Sequence, residues 1–173
     1  MHNILAAAQL DKELAAVSLE ERIRLIAERF DMPVFTTSLG MEDQVLTWAI
    51  AQHGRSIRLA TLQTGRLFEE TLSLISTTKE RYGLPIVEYK PDQAAVDAYI
   101  AKNGADGFYY SIEARKACCA IRKVIPLEKA LAGADVWITG LRRGQSEKRQ
   151  SIPMAEWDAT HQVMKISPLA DWN

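Results

Sequence analysis

A chain of 173 residues with 47% hydrophobic and 25% charged side chains has the composition of an ordinary globular domain. Its formal net charge of -1 gives no global attraction to nucleic acid or to an anionic membrane, and no apolar run reaches the ~18 residues that cross a bilayer. Without a secretory leader pattern either, we expect one cytoplasmic domain, residues 1–173, that binds neither nucleic acid nor membrane.

The first part of the chain predicts two packing helices followed by a strand and a loop. Apolar residues recur at helical spacing over residues 4–17 and 18–30, so residues 1–31 are assigned to N-terminal packing helices. Residues 34–37 have the content of a buried strand, and Ser38 and Gly40 then lead into a helix. Because the first N–H groups of a helix are unpaired and its dipole is positive there, this loop is a candidate anion site.

The remaining elements alternate between strands and helices. Strands are predicted over residues 56–62, 86–89, 135–139 and 163–166, with helices over 67–82, 92–102, from 111 past the cysteines, and 126–133. This order is typical of βαβ units, and it predicts an α/β fold with a doubly wound, mostly parallel sheet and helices on both faces.

Three loops with unusual residues each follow a predicted strand. They are residues 38–43, residues 63–66 and the basic loop of residues 140–149. Ligands of such sheets bind beyond the carboxyl ends of the strands, so the loops together indicate a site for an anionic nucleotide. Taken singly, such a loop is more often a plain turn or a solvated basic segment than a binding site.

Cys118 and Cys119 are open to two interpretations. On a regular helix adjacent side chains diverge by about 100°, which is typical of one buried and one exposed structural thiol. Alternatively, both are thiolate ligands of a metal centre, stabilised by the cations that surround them. The other ligands would then lie elsewhere, since the chain has only these two cysteines.

Five motifs in order resemble the adenylyl-sulfate and phosphoadenylyl-sulfate reductases. They are residues 37–43 (TSLGMED), 62–68 (LQTGRLF), 118–123 (CCAIRK), 139–143 (TGLRR) and 168–172 (PLADW). The resemblance implies an adenine nucleotide α-hydrolase-like fold and the thioredoxin-dependent reduction of adenosine 5'-phosphosulfate to sulfite and AMP, in assimilatory sulfate reduction. The cysteine pair implies a 4Fe-4S cluster, with two of its four ligands in this chain, and a substrate without a 3'-phosphate. A cluster bound by both thiols requires a helix that is distorted at the pair.

The resemblance also assigns binding roles. Lys123 would lie between cluster and substrate, Arg142 and Arg143 would close over the phosphosulfate, and Thr64 and Gly65 would hold adenosine or ribose. The substrate-binding residues implied by the motifs are Ser38, Gly40, Leu62, Thr64, Gly65, Lys123, Gly140, Arg142 and Arg143. Phe35 and Leu62 are candidates for the apolar wall that adenine needs.

The sequence departs from the family pattern at two places that matter for function. Gln63 replaces an aspartate, and the segment with the second cysteine pair and the nucleophilic cysteine would lie beyond Asn173. The chain therefore reads as a reductase core that lacks the catalytic C-terminal segment and is inactive by itself. The alternatives are a 3'-phosphoadenylyl-sulfate reductase, an ATP pyrophosphatase and a non-catalytic nucleotide-binding module, while the sequence leaves open whether the protein is a homo-oligomer.

Overall fold

The computed structural model describes residues 2–172. Its α-helices are α1 (His2–Ala15), α2 (Leu19–Arg29), α3 (Met41–His53), α4 (Glu69–Tyr82), α5 (Gln93–Asn103), α6 (Ile112–Cys119) and α7 (Ile125–Leu131). Its strands are β1 (Pro33–Thr36), β2 (Arg58–Leu62), β3 (Ile86–Tyr89), β4 (Val136–Ile138), β5 (Ala155–Asp158) and β6 (Val163–Ile166). The alternating order predicted from the sequence is thus confirmed.

The strands form one sheet in the order β3-β2-β1-β4-β6-β5. All neighbouring pairs are parallel except β5 with β6. After β3 the chain returns to the other side of β1, so the strand order reverses between β1 and β4. In open parallel sheets this point of reversal is where ligands bind, beyond the carboxyl ends of the strands.

Successive side chains of β1 pack in separate cores on the two faces of the sheet. Phe35 belongs to the main core with Ile23 of α2 and Leu46 of α3, whereas Val34 packs in a smaller core with Ala130 of α7. Successive side chains of a strand point to opposite faces, so helices cover both faces, as the sequence predicted. Phe35 is fully buried, and it therefore cannot be the exposed wall for adenine that the sequence analysis considered.

Strand β5 was not predicted from the sequence. This strand pairs antiparallel with β6 through a turn in which Asp158 accepts the N–H groups of Thr160 and His161 at 2.9 and 3.0 Å. The strand is only 4 residues long and its residues after Ala155 are partly exposed, so it lacks the apolar run that marks the central strands. Helix α1 packs on β5, and the Asp11 carboxylate accepts the N–H groups of Met154 and Ala155 at 2.6 and 3.2 Å.

The helix that carries the cysteines is not regular. Helix α6 ends at Cys119, a π-helical turn spans Ala120–Val124, and α7 follows without a break. A π-turn changes the direction of the side chains that follow it, and such turns are frequent at functional sites. The distortion expected from the sequence therefore occurs directly after the cysteine pair.

Candidate functional site

The candidate site is a cavity of about 290 Å³ at the carboxyl ends of β1 and β2. Its lining consists of Thr36, Thr37, Ser38, Thr61, Leu62, Thr64, Leu67, Thr71 and Lys123. Six of these residues carry hydroxyl groups, two are leucines and one is a cation. A cavity with fixed hydroxyls, an apolar wall and a positive charge suits a ligand that combines a flat apolar part with an anionic group.

The hydroxyl groups of the cavity are held in place by the surrounding scaffold. Thr61 Oγ1 donates to the carbonyl of Thr37 at 2.9 Å, and Thr36 Oγ1 accepts from Trp137 Nε1 at 2.8 Å. Thr64 Oγ1 accepts the Arg66 N–H at 3.2 Å. These bonds fix the side-chain rotamers before any ligand binds, which lowers the entropic cost of binding.

The loop between β1 and α3 already contains an anion of the protein itself. Asp43, in the first turn of α3, accepts the Ser38 N–H at 2.5 Å and the Ser38 hydroxyl at 2.7 Å. Burial raises the pKa of the Asp43 carboxyl, and the bonds from Ser38 oppose that shift. The anion position expected at the start of this helix is therefore occupied in part by Asp43, which the sequence analysis had not named as a site residue.

Leu39 gives this loop its shape at a conformational cost. Its φ of 66° lies in the left-handed region, where a residue with a Cβ is strained by roughly 1–2 kcal/mol. Leu39 is nonetheless buried, and its N–H donates to Thr37 Oγ1 at 2.9 Å. The burial of its side chain in the main core offsets the strain and fixes the path of the chain from β1 to Gly40.

Gly140 brings the loop after β4 against the same carboxylate. A Cβ at this position would overlap Oδ1 of Asp43, so no other residue fits without displacement. The loops that follow β1 and β4 thus meet through Asp43, at the point where the strand order reverses.

The arginines of the basic loop are engaged by protein groups. Arg142 donates to Glu42 Oε1 from Nη2 at 2.7 Å and from Nε at 3.2 Å, and Gln145 donates to the same oxygen. These contacts, with the backbone N–H of Glu42, lower the pKa of the Glu42 carboxyl from 4.5 to about 2, with the Arg142 bond as the main cause. Arg143 Nε donates to the carbonyl of Ile152 at 2.8 Å.

The structure therefore brings together only part of the predicted set. Ser38, Leu62, Thr64 and Lys123 line the cavity, while Gly40, Gly140 and Arg142 lie beside it around the start of α3. Gly65 lines a separate cavity, and Arg143 is turned towards Ile152. The sequence analysis missed the contribution of Thr36, Thr37, Thr61, Leu67 and Thr71. For Thr36, Thr37 and Thr61 the signal was the threonines at the ends of two adjacent parallel strands, whereas Leu67 and Thr71 lie in the loop and the helix that follow β2.

Gln63 takes the role of a hydrogen-bond acceptor. Its Oε1 accepts the Gly65 N–H at 2.7 Å. A carboxylate can accept the same bond, so the replacement of aspartate by glutamine keeps the turn closed. Gly65 has a φ of 74°, which a glycine adopts without strain.

The two cysteines are neighbours at the end of α6. Both are free thiols, with Cys118 half-buried and Cys119 exposed. Arg115, Lys116 and Lys123 lie on the same helical segment, and cations favour the thiolate form that binds metal. Across residues 2–172 no group of three or more histidine, cysteine or acidic side chains is arranged to hold a metal ion. A four-iron cluster would need two further ligands from outside the described residues.

A long and apolar helix able to cross a membrane is also absent between residues 2 and 172.

Fold and cavity together define an α/β protein of the adenine nucleotide α-hydrolase-like class. A structural comparison supports this class. The chain superimposes on the crystal structure of phosphoadenylyl-sulfate reductase from Candida auris with a TM-score of 0.82, at 24% identity, covering 96% of this chain and 79% of that one. Yeast FAD synthetase matches more weakly, with a TM-score of 0.53 at 15% identity over 94% of this chain and 55% of that one.

The chain belongs to the phosphoadenosine phosphosulfate reductase domain family, whose model matches residues 32–173. Adenosine 5'-phosphosulfate reductase of Agrobacterium fabrum is 54% identical over 166 residues, which cover 96% of this chain and 64% of that protein. The protein of the same name from Allochromatium vinosum is 47% identical, over 94% of this chain and 62% of its own length. The chain thus spans a little under two thirds of the length of these relatives.

Proposed function

We propose that this chain is the nucleotide-binding core of a thioredoxin-dependent adenosine 5'-phosphosulfate reductase, acting in the cytoplasm in assimilatory sulfate reduction. The observation that carries the proposal is the hydroxyl-lined cavity with Lys123 at the ends of β1 and β2, in a chain 54% identical to a protein of that name. In this cavity the adenosine lies against Leu62 and Leu67, and Lys123 faces the phosphosulfate.

In the proposed reaction a thiolate attacks the sulfur of adenosine 5'-phosphosulfate. The new S–S bond forms as the bond between sulfur and the bridging oxygen breaks, and AMP leaves with that oxygen and both electrons of the broken bond. The two thiols of thioredoxin then release sulfite and become a disulfide. Since the two cysteines of this chain are assigned to the cluster, the attacking thiol comes from outside these 173 residues.

The chain's own residues bind and orient the nucleotide. Lys123 stabilises the negative charge that grows on the leaving phosphate. Arg142 reaches the phosphosulfate only after it leaves Glu42, so the ion pair between them holds the basic loop near the site until the substrate competes for the guanidinium.

Cys118 and Cys119 are proposed to hold one side of a 4Fe-4S cluster. When bound there, the cluster would supply a fixed charge on the helical segment that also carries Lys123. A substrate without a 3'-phosphate follows from the same pair, by resemblance to the family branch that carries it. Iron and sulfide content after anaerobic reconstitution of a longer protein that also carries the two further cysteine ligands tests this assignment: the unaltered protein should retain iron, and Cys118→Ser and Cys119→Ser should lose it. Equal iron in all three proteins would remove the cysteines from the proposed cluster.

The nucleotide site is tested by titrating AMP into the chain by calorimetry. Lys123→Ala should weaken AMP binding by at least about tenfold, as the loss of a cation facing a phosphate predicts. Lys129→Ala removes an equally exposed lysine of α7 that has no ion pair among residues 2–172, and it should leave the affinity unchanged. AMP binding that survives Lys123→Ala, or pyrophosphate release from ATP and Mg²⁺, would contradict the proposal.

A further inference from the structure

Trp137, in the middle of β4, reaches the wall of the hydroxyl-lined cavity at the ends of β1 and β2, here called the nucleotide cavity. Its indole Nε1 donates to Thr36 Oγ1 at 2.8 Å, and Thr36 is one of the residues that line the cavity. Trp137 is paired in register with Val34, and alternate residues of a strand share a face, so Val34 and Thr36 point to the same side of β1. The indole therefore extends along this face to the end of β1.

The direction of this hydrogen bond determines what Thr36 can offer to a ligand. An indole N–H can only donate, so Thr36 Oγ1 is the acceptor and keeps its own proton. Within residues 2–172 no protein acceptor takes that proton. Because Thr36 lines the cavity, the proton is available to a bound molecule.

Two other hydroxyl groups of the cavity have the opposite polarity. Thr61 Oγ1 donates to the carbonyl of Thr37 at 2.9 Å, and Ser38 Oγ donates to Asp43 Oδ2 at 2.7 Å. Both protons are used inside the protein, so these two oxygens can only accept a hydrogen bond from a ligand. The bond from Trp137 therefore makes Thr36 a donor in a cavity where neighbouring hydroxyls are acceptors.

The turn between β5 and β6 holds the indole in this position. The His161 ring meets the indole edge-on, with ring centroids 5.1 Å apart and planes at 71°, and Lys165 Nζ lies 5.5 Å from the indole centroid. The His161 N–H donates in turn to Asp158 at 3.0 Å. A cation over an aromatic face is favourable, and contacts from two residues restrict rotation of the ring. The indole N–H is thus oriented before any ligand binds.

We propose that Trp137 is a positioning residue of the nucleotide site. Its N–H orients the Thr36 hydroxyl, which donates to a phosphate oxygen of the bound nucleotide. A phosphate oxygen fits because it can only accept, and because Lys123 supplies a positive charge to the same cavity. This role rests on the proposed function, since it requires that the cavity binds a nucleotide.

The test is a double-mutant cycle on the affinity of the chain for AMP, measured by calorimetry. Thr36→Val removes the hydroxyl with little change of shape and should weaken AMP binding about tenfold or more, as expected for a hydrogen bond to a charged group. Trp137→Phe keeps an aromatic ring without the N–H and should weaken binding about three- to tenfold. In the Thr36→Val background, Trp137→Phe should have no further effect, because it acts through the hydroxyl.

Two further variants are matched controls for this cycle. Trp157→Phe makes the same change at a residue that packs against the main core, on the other face of the sheet, and it should leave AMP binding unchanged. Thr36→Ser keeps the hydroxyl, so it should bind AMP more tightly than Thr36→Val and remain sensitive to Trp137→Phe.

The indole N–H signal of Trp137 in the ¹⁵N-labelled chain gives a readout that does not depend on Trp137→Phe. Addition of AMP should shift this signal in the unaltered chain and leave it in place in Thr36→Val. The proposal would be overturned by an indole signal that AMP does not shift in the unaltered chain.

The affinities separate this role from the proposed function. Unchanged AMP binding in Trp137→Phe or Thr36→Val would overturn the role of Trp137, while AMP binding by the unaltered chain would still support the nucleotide site. An equal loss from Trp137→Phe in both backgrounds would also overturn it, because Trp137 would then act through packing alone. If the unaltered chain bound no AMP, the proposed function would fail, and this role with it.

Discussion

Asp43 decides how the residues around the nucleotide cavity are arranged. One carboxylate joins the loop after β1, through Ser38, to the loop after β4, through Gly140. A buried carboxylate that accepts two hydrogen bonds positions both loops without covering the cavity beside it. A glycine follows β4 because a side chain at residue 140 would overlap the Asp43 carboxylate, and not because the backbone conformation there requires a glycine.

Gly140→Ala should therefore destabilise the protein. The new Cβ overlaps the Asp43 carboxylate, and displacing it should cost about 1–3 kcal/mol of unfolding free energy, measured by urea denaturation. Gly144→Ala is the matched control in the same loop, since its Cβ meets only the carbonyl of Trp172 at 3.9 Å. Equal stability of the two variants would show that Asp43 does not restrict residue 140.

The Glu42–Arg142 pair predicts a defined pH dependence. The pKa of Glu42 is about 2 in the folded protein, below its ordinary 4.5. Because the folded pKa is the lower one, the pair stabilises the fold fully above pH 4.5, and this contribution is lost as the pH falls from there towards 2. Glu42→Gln should cost about 1 kcal/mol at pH 7, discounted for partial exposure of the pair.

The stability difference between the unaltered chain and Glu42→Gln should shrink as the pH falls below 4.5 and should be lost only below about pH 2. Asp43 titrates in the opposite sense because burial raises its pKa, and the charge of Glu42 is a lesser cause of that rise, which Glu42→Gln removes. Glu128→Gln, at an exposed residue of α7 without an ion pair among the described residues, should show no such dependence. A difference that stays constant between pH 7 and pH 2 would contradict the assigned pair.

At the scale of elements, α6 and the π-turn after it position both the cysteines and the two cations of the cavities. Ser111 is the N-cap of α6, and its Oγ accepts the Ala114 N–H at 3.0 Å. The π-turn then places Arg122 and Lys123 towards different cavities. Two adjacent positive charges in this irregular turn thus line different cavities.

Ser111→Ala tests how much this helix depends on its cap. Loss of an N-cap hydroxyl should cost about 1 kcal/mol and raise hydrogen exchange in the first turns of α6. Ser73→Ala in α4 is the comparison, since that exposed serine bonds only to the carbonyl of Glu70 and alanine is a better helix former. The cap would be dispensable if amide exchange in α6 were the same in both variants.

The whole molecule closes one edge of its sheet with its N-terminal helix. Strand β5 is an edge strand, and α1 lies on it with Asp11 bonded to the preceding backbone and to Ala155. An uncovered edge is open to pairing with another chain, so this packing protects against aggregation. Helix α1, the first of the packing helices predicted from the sequence, therefore also covers a strand that was not predicted.

Alanine substitutions on the buried side and on the exposed side of α1 should have different effects on the free energy of unfolding. Leu14 is fully buried, and Leu14→Ala should lower the free energy of unfolding by about 2–5 kcal/mol and promote aggregation near the midpoint. Leu5 is 67% exposed, and Leu5→Ala should change stability by less than about 0.5 kcal/mol. Similar denaturation midpoints for the two variants would mean that α1 does not pack as described.

The sequence by itself determined that strands and helices alternate and in what order they follow one another along the chain. It also determined the edge of the sheet at which three loops meet. It did so because apolar periodicity and end signals such as Ser111 are local properties of the chain. The family resemblance likewise rested on short motifs with fixed spacing. The short edge strand β5 escaped because four partly exposed residues carry no such periodicity.

Only the tertiary structure decided which charges are free. Arg142 and Arg143 look alike in the sequence, yet one pairs with Glu42, which lies 100 positions earlier in the chain, and the other bonds to the carbonyl of Ile152. Lys123 and Arg122 are neighbours that line different cavities. Such partners are distant in sequence, and whether a charge is neutralised depends on what the fold places beside it, which no local pattern encodes.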